Sequence, residues 1–173
     1  MTPEDVWFLD NGAGGECFDG SLLGHGNSTT PQRLWRVGRR NGGRRSYEVN
    51  DEPGALVTNP PAIDLVARVA IGYDSGNGLV AGFDIDDVSG DPRWQRRLNH
   101  AMHPVLVGEG RALFNDYDRE LQRDDLVVLD MRSGEELVRV NTPSPLQSVL
   151  FAAAGFDNDL YVCSFSHVTR VTF

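Results

Sequence analysis

With 173 residues, the chain can form one domain with a single core but is too short for two domains of ordinary size. Its 25 acidic and 16 basic residues give a formal charge of −9. That balance argues against nucleic acid as a partner, because binding phosphate requires concentrated positive charge. The N-terminus lacks the features of a signal peptide and no segment approaches the length of a membrane span, so we expect a cytoplasmic protein without a membrane partner.

Short motifs recur along the chain at a constant spacing of 44 residues. The repeated pairs are Pro60 and Pro104, Tyr73 and Tyr117, Asp86 and Asp130, and Ser89 and Ser133. A period of this length is typical of one β-propeller blade.

The content of each repeat agrees with its length. Short runs of Val, Leu, Ile and aromatic residues alternate with Gly, Asn, Asp and Ser, which indicates strands separated by turns. In the clearest repeat, we predict an inner strand at 103–107, a second at 111–115, a third at 125–130 and an outer strand at 135–141. Gly134 favours a tight turn before the last of these, because glycine accepts a positive φ.

The order of strands along the chain predicts the architecture. Residues 5–10, 34–37 and 45–50 form a blade without its inner strand, two full blades follow, and a last blade starts at 147–151 and has three strands. We therefore predict an all-β fold, a β-propeller of about four four-stranded antiparallel blades with the first and last incomplete. Residues 1–173 would be a single propeller domain or a partial propeller, with residues 12–31 as a long inserted loop.

The incomplete blades predict a partner. A strand edge with unpaired N–H and C=O groups is a template for another strand. We expect either a second copy of the chain or another chain to complete the propeller.

Several segments resemble the later blades of the gluconolactonase and senescence-marker-protein family, six-bladed propellers to which strictosidine synthase is related. They are Val6-Trp7-Phe8-Leu9-Asp10, Gly82-Phe83-Asp84-Ile85-Asp86-Asp87, Asp125-Leu126-Val127-Val128-Leu129-Asp130 and the closing run from Ser148 to Ser164. The resemblance implies hydrolysis at a divalent metal in the central channel, held by Glu, Asn and Asp side chains.

The family's metal-binding turns are not matched here. They usually read Pro-Asn-Gly and Pro-Asp-Gly, whereas this chain has Pro60-Pro61-Ala62 and Pro104-Val105-Leu106. Pro61 and Val105 offer no side-chain oxygen, which a hard cation requires. The lactonase mechanism of the family therefore does not transfer directly.

Two groups of polar residues are candidate sites. His103, Asn115 and Asp116 lie where an inner strand begins and a second strand ends, so they are catalytic candidates, although a lone histidine is also commonly structural. The candidate metal ligands are the carboxylates of Asp84, Asp86, Asp87 and Asp91. They could bind a divalent cation such as Ca²⁺, although aspartate is also a common turn residue, and no other cofactor is predicted.

Two functions remain open from the sequence. The favoured one is a propeller module for binding or assembly, part of a larger or oligomeric propeller and able to take a small-molecule ligand. The alternative is a divergent gluconolactonase-like hydrolase acting on a small lactone or ester. The unmatched metal turns favour the first, and no Gly-x-Ser-x-Gly motif supports a serine hydrolase.

Overall fold

The computed structural model describes residues 4–10, 31–55, 60–99, 103–142, 151–155, 159–163 and 167–172. Within these ranges the regular structure consists of β-strands. None of the described segments forms a helix with the length and apolar character needed to traverse a bilayer. Apart from Pro31, the predicted loop at residues 12–31 lies outside the described residues.

The described strands form four antiparallel sheets, each built from strands that are consecutive in the chain. The first sheet contains β1 (Asp5–Asp10), β2 (Gln32–Gly38) and β3 (Arg44–Asn50). The second contains β4 (Ala62–Asp64), β5 (Val69–Asp74), β6 (Leu79–Asp84) and β7 (Trp94–Arg97). The third contains β8 (Val105–Gly108), β9 (Arg111–Asp118), β10 (Arg123–Asp130) and β11 (Glu136–Asn141). The fourth contains β12 (Phe151–Ala154), β13 (Asp159–Cys163) and β14 (Val168–Thr172).

This arrangement confirms the all-β prediction and the division into sheets of three, four, four and three strands. Tyr73 and Tyr117 both lie in the second strand of their sheets, as the repeat predicts. Asp130 is the last residue of β10, whereas Asp86 lies two residues beyond the end of β6. The 44-residue offset therefore relates equivalent strands, but β6 ends two residues earlier than this offset predicts from the end of β10.

The sheets stack face to face in chain order. In the second sheet, Val69 and Ile71 pack against the third sheet, while Ala70 and Phe83 pack against the first. Leu113 of the third sheet packs in turn against the fourth. Since successive side chains on a strand point to opposite faces, β5 and β9 contribute to two cores at once. This explains why all six residues of β5 are buried.

Trp94 joins the second and third sheets near their outer strands. Its indole Nε1 donates a hydrogen bond to the backbone oxygen of Met131 at 2.9 Å. The ring covers Gly134, where an added Cβ would lie 2.5 Å from Trp94 Cδ2. Gly134 also has a φ of +72°, as expected for the turn before β11. The glycine thus serves both the turn and the contact between sheets.

Replacing Gly134 by alanine, compared with a control glycine, should separate the cost of the positive φ from the cost of the contact with Trp94. Gly42→Ala is the matched control, because Gly42 also has a positive φ of +66° but nothing lies within 4 Å of its added Cβ. We expect Gly134→Ala to lower the free energy of unfolding by about 1–3 kcal/mol more than Gly42→Ala, owing to the clash with the indole. Urea denaturation of both variants measures the difference, and equal losses would contradict this account of the Trp94 contact.

Candidate functional site

Buried polar side chains are concentrated at one edge of the stacked sheets. We call this edge the polar edge. The strands that end there are β1, β3, β5, β7, β9 and β11, and the strands that begin there are β2, β6 and β10. The buried polar residues at this edge are Gln32, Asn50, Asp74, Asn115, Asp124, Asp125 and Thr142. Burying polar groups costs free energy unless they are hydrogen-bonded, and local hydrogen bonds are formed by these residues except Gln32, whose buried amide has no partner among the described residues.

The polar edge joins the first and second sheets through a buried carboxylate. Asn50 Nδ2 donates to Asp74 Oδ2 at 2.8 Å, and Asn77 Nδ2 donates to the same oxygen at 2.8 Å. The backbone N–H of Gly76 donates to Asp74 Oδ1 at 3.0 Å. Both carboxylate oxygens therefore have donors, and Asn50 connects two sheets that share no backbone ladder.

The third sheet has a similar buried pair. Asn115 Nδ2 donates to Asp124 Oδ1 at 2.9 Å. The Thr142 hydroxyl donates to the backbone oxygen of Asp124 at 2.8 Å. Asn115, one of the predicted catalytic residues, is thus fully buried and hydrogen-bonded within its own sheet.

The Asp116 carboxylate binds the segment that connects the second sheet to the third. Its Oδ1 accepts the backbone N–H of Asn99 at 2.8 Å, and its Oδ2 accepts Arg139 Nη2 at 3.0 Å. Arg139 also pairs with Glu136 and Asp125. The hydrogen bond with Glu136 is the main cause of the raised pKa of Arg139, and the same contact lowers the pKa of Glu136. Asp116 therefore belongs to a charged network around one arginine.

His103 lies at the same edge, just before β8. The pairing of Val105 with Leu113 places His103 and Asn115 two residues further along, towards the polar edge. His103 is half-buried, and this burial lowers the pKa of its imidazole. The neutral form, which can accept a proton or bind a cation, is therefore favoured at neutral pH. The structure thus brings the three predicted catalytic residues to one edge of the third sheet.

The predicted aspartate group lies at the opposite edge of the second sheet, around the turn after β6. Asp84 pairs with Arg93 at 2.9 Å and accepts the N–H of Asp86, whose carboxylate pairs with Arg68. The Arg68 contact lowers the pKa of Asp86.

The rest of the aspartate group is also hydrogen-bonded in this turn. Asp87 Oδ1 accepts the N–H of Ser89 at 2.9 Å, which lowers the pKa of Asp87. The N–H of Asp91 donates to Ser89 Oγ at 3.1 Å. Among the described residues, no set of three or more His, Cys, Asp or Glu side chains is arranged to hold a metal. The metal-site assignment therefore stays a prediction, while the geometry observed is that of a turn.

A cavity of about 520 Å³ opens at the polar edge between the second and third sheets. Its lining includes Asn77, Arg97, Asn99, Tyr117 and Arg119. Arg97 also pairs with Glu52, and the side-chain amides of Asn77 and Asn99 donate to Asp74 and to the backbone oxygen of Tyr117. The Arg119 guanidinium is the lining group best suited to a small anionic ligand.

This cavity was not predicted from the sequence. The sequence feature that could have indicated it is the repeated Tyr-Asp motif. Tyr73 and Tyr117 lie near the ends of β5 and β9, on either side of the cavity.

No protein-family model and no curated protein matches the chain. The structure is similar to that of a luciferin-regenerating enzyme, with a TM-score of 0.56 and 19% sequence identity over 98% of this chain. The chain spans 58% of the length of that protein. The neighbour is a propeller of the gluconolactonase and senescence-marker-protein type, the family that the sequence resembles. At this identity the similarity shows the fold alone.

Removing the Asn50 amide should weaken the contact between the first two sheets. In Asn50→Ala the buried Asp74 carboxylate loses a donor, so we expect the free energy of unfolding to fall by about 1–3 kcal/mol. Asp86→Asn is the control, because it weakens an exposed ion pair and should change stability little. Urea denaturation distinguishes the two, and a stable Asn50→Ala variant would show that this amide is dispensable.

The burial of His103 predicts a pH dependence of stability. As the pH falls through about 6.5, the ordinary pKa, the unfolded chain takes up a proton before the folded chain does. The folded state therefore loses stability below that pH, and His103→Gln should reduce this loss. Melting temperatures of both proteins across the mildly acidic range test the prediction. Superimposable profiles would show that His103 does not cause the effect.

Proposed function

We propose that the chain is a β-propeller module of the gluconolactonase-like type, with a role in binding or assembly. The observation that carries the proposal is the face-to-face stacking of four sheets in chain order, together with a match to only 58% of a solved propeller. Further sheets, from a second copy or another chain, would continue this stack into a ring.

The outward faces of the terminal sheets support this proposal. Phe8 on the first sheet is 43% exposed, and Val168 on the fourth is 69% exposed. The core-facing apolar residues of the second and third sheets are almost completely buried by comparison. Large apolar side chains on a broad face commonly mark an interaction surface.

The polar edge is the proposed ligand-binding side of the module. The cavity between the second and third sheets presents the Arg119 guanidinium to a carboxylate or phosphate group, beside Arg97, which also pairs with Glu52. A small polar or anionic molecule is therefore the class of ligand that we propose.

A second candidate function is hydrolysis of a small lactone or ester. It is favoured by the type of propeller to which the solved neighbour belongs and by the neutral imidazole of His103 at the polar edge. Against the family's metal mechanism, Pro61 directly before the inner strand β4 and Val105 at the start of β8 have no side-chain oxygen. We therefore rank this function below binding or assembly.

The assembly role predicts that the isolated chain does not persist as a free monomer. Its exposed terminal faces should drive association at micromolar concentration, because joining them removes apolar surface from water. Light scattering should give a mass above the 19.1 kDa of one chain. A monodisperse 19.1 kDa species with a sharp cooperative melt would contradict the proposed function. Lactone hydrolysis by that species would instead favour the second candidate.

A further inference from the structure

The cavity between the second and third sheets has an unusual lining for so acidic a chain. The chain carries a formal charge of −9, yet none of the described residues that line this cavity is Asp or Glu. A second cavity, of about 390 Å³ between the first and second sheets, is lined by four carboxylates, those of Glu48, Asp51, Glu52 and Asp91. The cavity between the second and third sheets therefore favours an anion, in contrast to its neighbour.

Arg119 is the cation in this cavity that is available to a ligand. It lies in the turn directly after β9, is exposed, and has no ion-pair partner within the described ranges. Asp118 and Glu120 flank it in the sequence but do not line the cavity. The Asp118 carboxylate accepts the N–H groups of Glu120 and Leu121, both at 2.9 Å, and so closes the turn. The Arg119 guanidinium is therefore left to form paired hydrogen bonds with an oxyanion.

Ser75 supplies a second hydrogen-bond donor. Its side chain lines the cavity, and its hydroxyl is buried without a hydrogen-bond partner among the described residues. Rotation about the Cα–Cβ bond moves a serine hydroxyl among three staggered positions, so this hydroxyl can turn towards a ligand without a change in the backbone. Leaving a buried hydroxyl unpaired costs free energy, and a hydrogen bond to a ligand oxygen would offset that cost.

One wall of the cavity is the segment after β7, which is fixed on both sides. The N–H of Leu98 donates to the backbone oxygen of Gly78 in the second sheet's turn at 2.9 Å. The N–H of Asn99 donates to Asp116 Oδ1 in the third sheet at 2.8 Å. A site whose walls are already held in place loses less conformational entropy when a ligand binds.

Arg97 connects this cavity to the acidic one beside it, since its side chain lines both. Its Nη1 donates to the backbone oxygen of Asn77 at 2.6 Å, and its Nη2 pairs with Glu52. Arg97 thus adds positive charge to the cavity, while Glu52 partly neutralises it. An anion in the cavity would compete with Glu52 for this guanidinium.

We infer that the cavity binds the phosphate group of a small phosphate ester through Arg119 and Ser75. Glu52 limits the affinity of this site through Arg97. The inference rests on the proposed ligand-binding side of the module and names the class of ligand. A phosphate monoester carries nearly two negative charges and three acceptor oxygens at neutral pH, so it uses two guanidinium groups and a hydroxyl more fully than a carboxylate does. A cavity of about 520 Å³ also has room for the alcohol part of such an ester.

Calorimetric titration of the full chain with glycerol 3-phosphate, inorganic phosphate and acetate tests the class of ligand. We expect glycerol 3-phosphate to bind most tightly and acetate most weakly. Equal affinities for the three anions would contradict the phosphate assignment. A phosphoserine peptide that binds more tightly than glycerol 3-phosphate would also contradict it, since the ligand would then be a protein segment rather than a small molecule.

Replacing Arg119 tests whether the phosphate lies in this cavity. Arg119→Gln should weaken the binding of glycerol 3-phosphate by about tenfold or more, as expected for the loss of charged hydrogen bonds. Arg132→Gln is the matched control, because it removes the same charge from an exposed arginine in the turn after β10, at the opposite edge of the sheet. Equal losses in the two variants would show that the overall charge, and not the cavity, determines binding.

Two further variants separate contact with the ligand from a structural role. Ser75→Ala should weaken binding by about threefold or more without lowering the free energy of unfolding, because the hydroxyl has no hydrogen bond among the described residues to lose. Glu52→Gln should act in the opposite direction and strengthen binding by about two- to fivefold, in line with the strength of an exposed ion pair. Unchanged binding in Ser75→Ala, or weaker binding in Glu52→Gln, would contradict the assigned roles.

The outcomes also separate this inference from the proposed function. Anion binding without a preference for phosphate, but lost in Arg119→Gln, would overturn the phosphate assignment and leave the ligand-binding side standing. A chain that binds none of the three anions would overturn both. The assembly role is decided separately by the mass of the chain in solution, whichever anion binds.

Discussion

Burial of both faces of each interior sheet is the constraint on which the rest of this structure depends. A sheet covered on one side needs apolar residues only at alternate positions, whereas a sheet covered on both sides needs them at consecutive positions. The strand β5 meets this requirement with six buried residues, and β10 has six consecutive buried residues. The outer strands β7 and β11 carry more exposed residues, because less of their surface is covered. The position of a sheet in the stack and the position of a strand within its sheet together explain the differences in composition among the strands.

The strands and their grouping could be predicted because they depend on local patterns. Turn residues such as Gly134 and the 44-residue repeat mark where each strand belongs. The contacts at the polar edge could not be predicted in the same way. Asn50 and Asp74 belong to different sheets, and their hydrogen bond depends on how those sheets stack. The sequence predicts that His103, Asn115 and Asp116 lie close together, because the two strands concerned are consecutive in the chain and pair in one sheet. The second of these strands runs on to Asp118, so Asn115 and Asp116 lie within it.

Aspartates at strand ends contribute to the protein's acidity. Asp64, Asp74, Asp118 and Asp130 each accept two backbone N–H groups from the turn that follows. These bonds satisfy donors that the strand ladders leave unpaired. The same residue type in the same setting suggested a cation site around Asp84, since sequence alone does not distinguish a carboxylate that closes a turn from one that binds metal. The formal charge of −9 is thus partly a consequence of how the turns are built.

The order of the strands has a consequence for folding. In every described sheet, each strand pairs only with the strands that precede and follow it in the chain. Such local pairing closes short loops, so its entropic cost is low and each sheet can form before its neighbours. Cooperativity between sheets then comes from nearest-neighbour contacts, as in a linear repeat array. An interior sheet is held from two sides and a terminal sheet from one, so stability is graded along the chain from its centre to its ends.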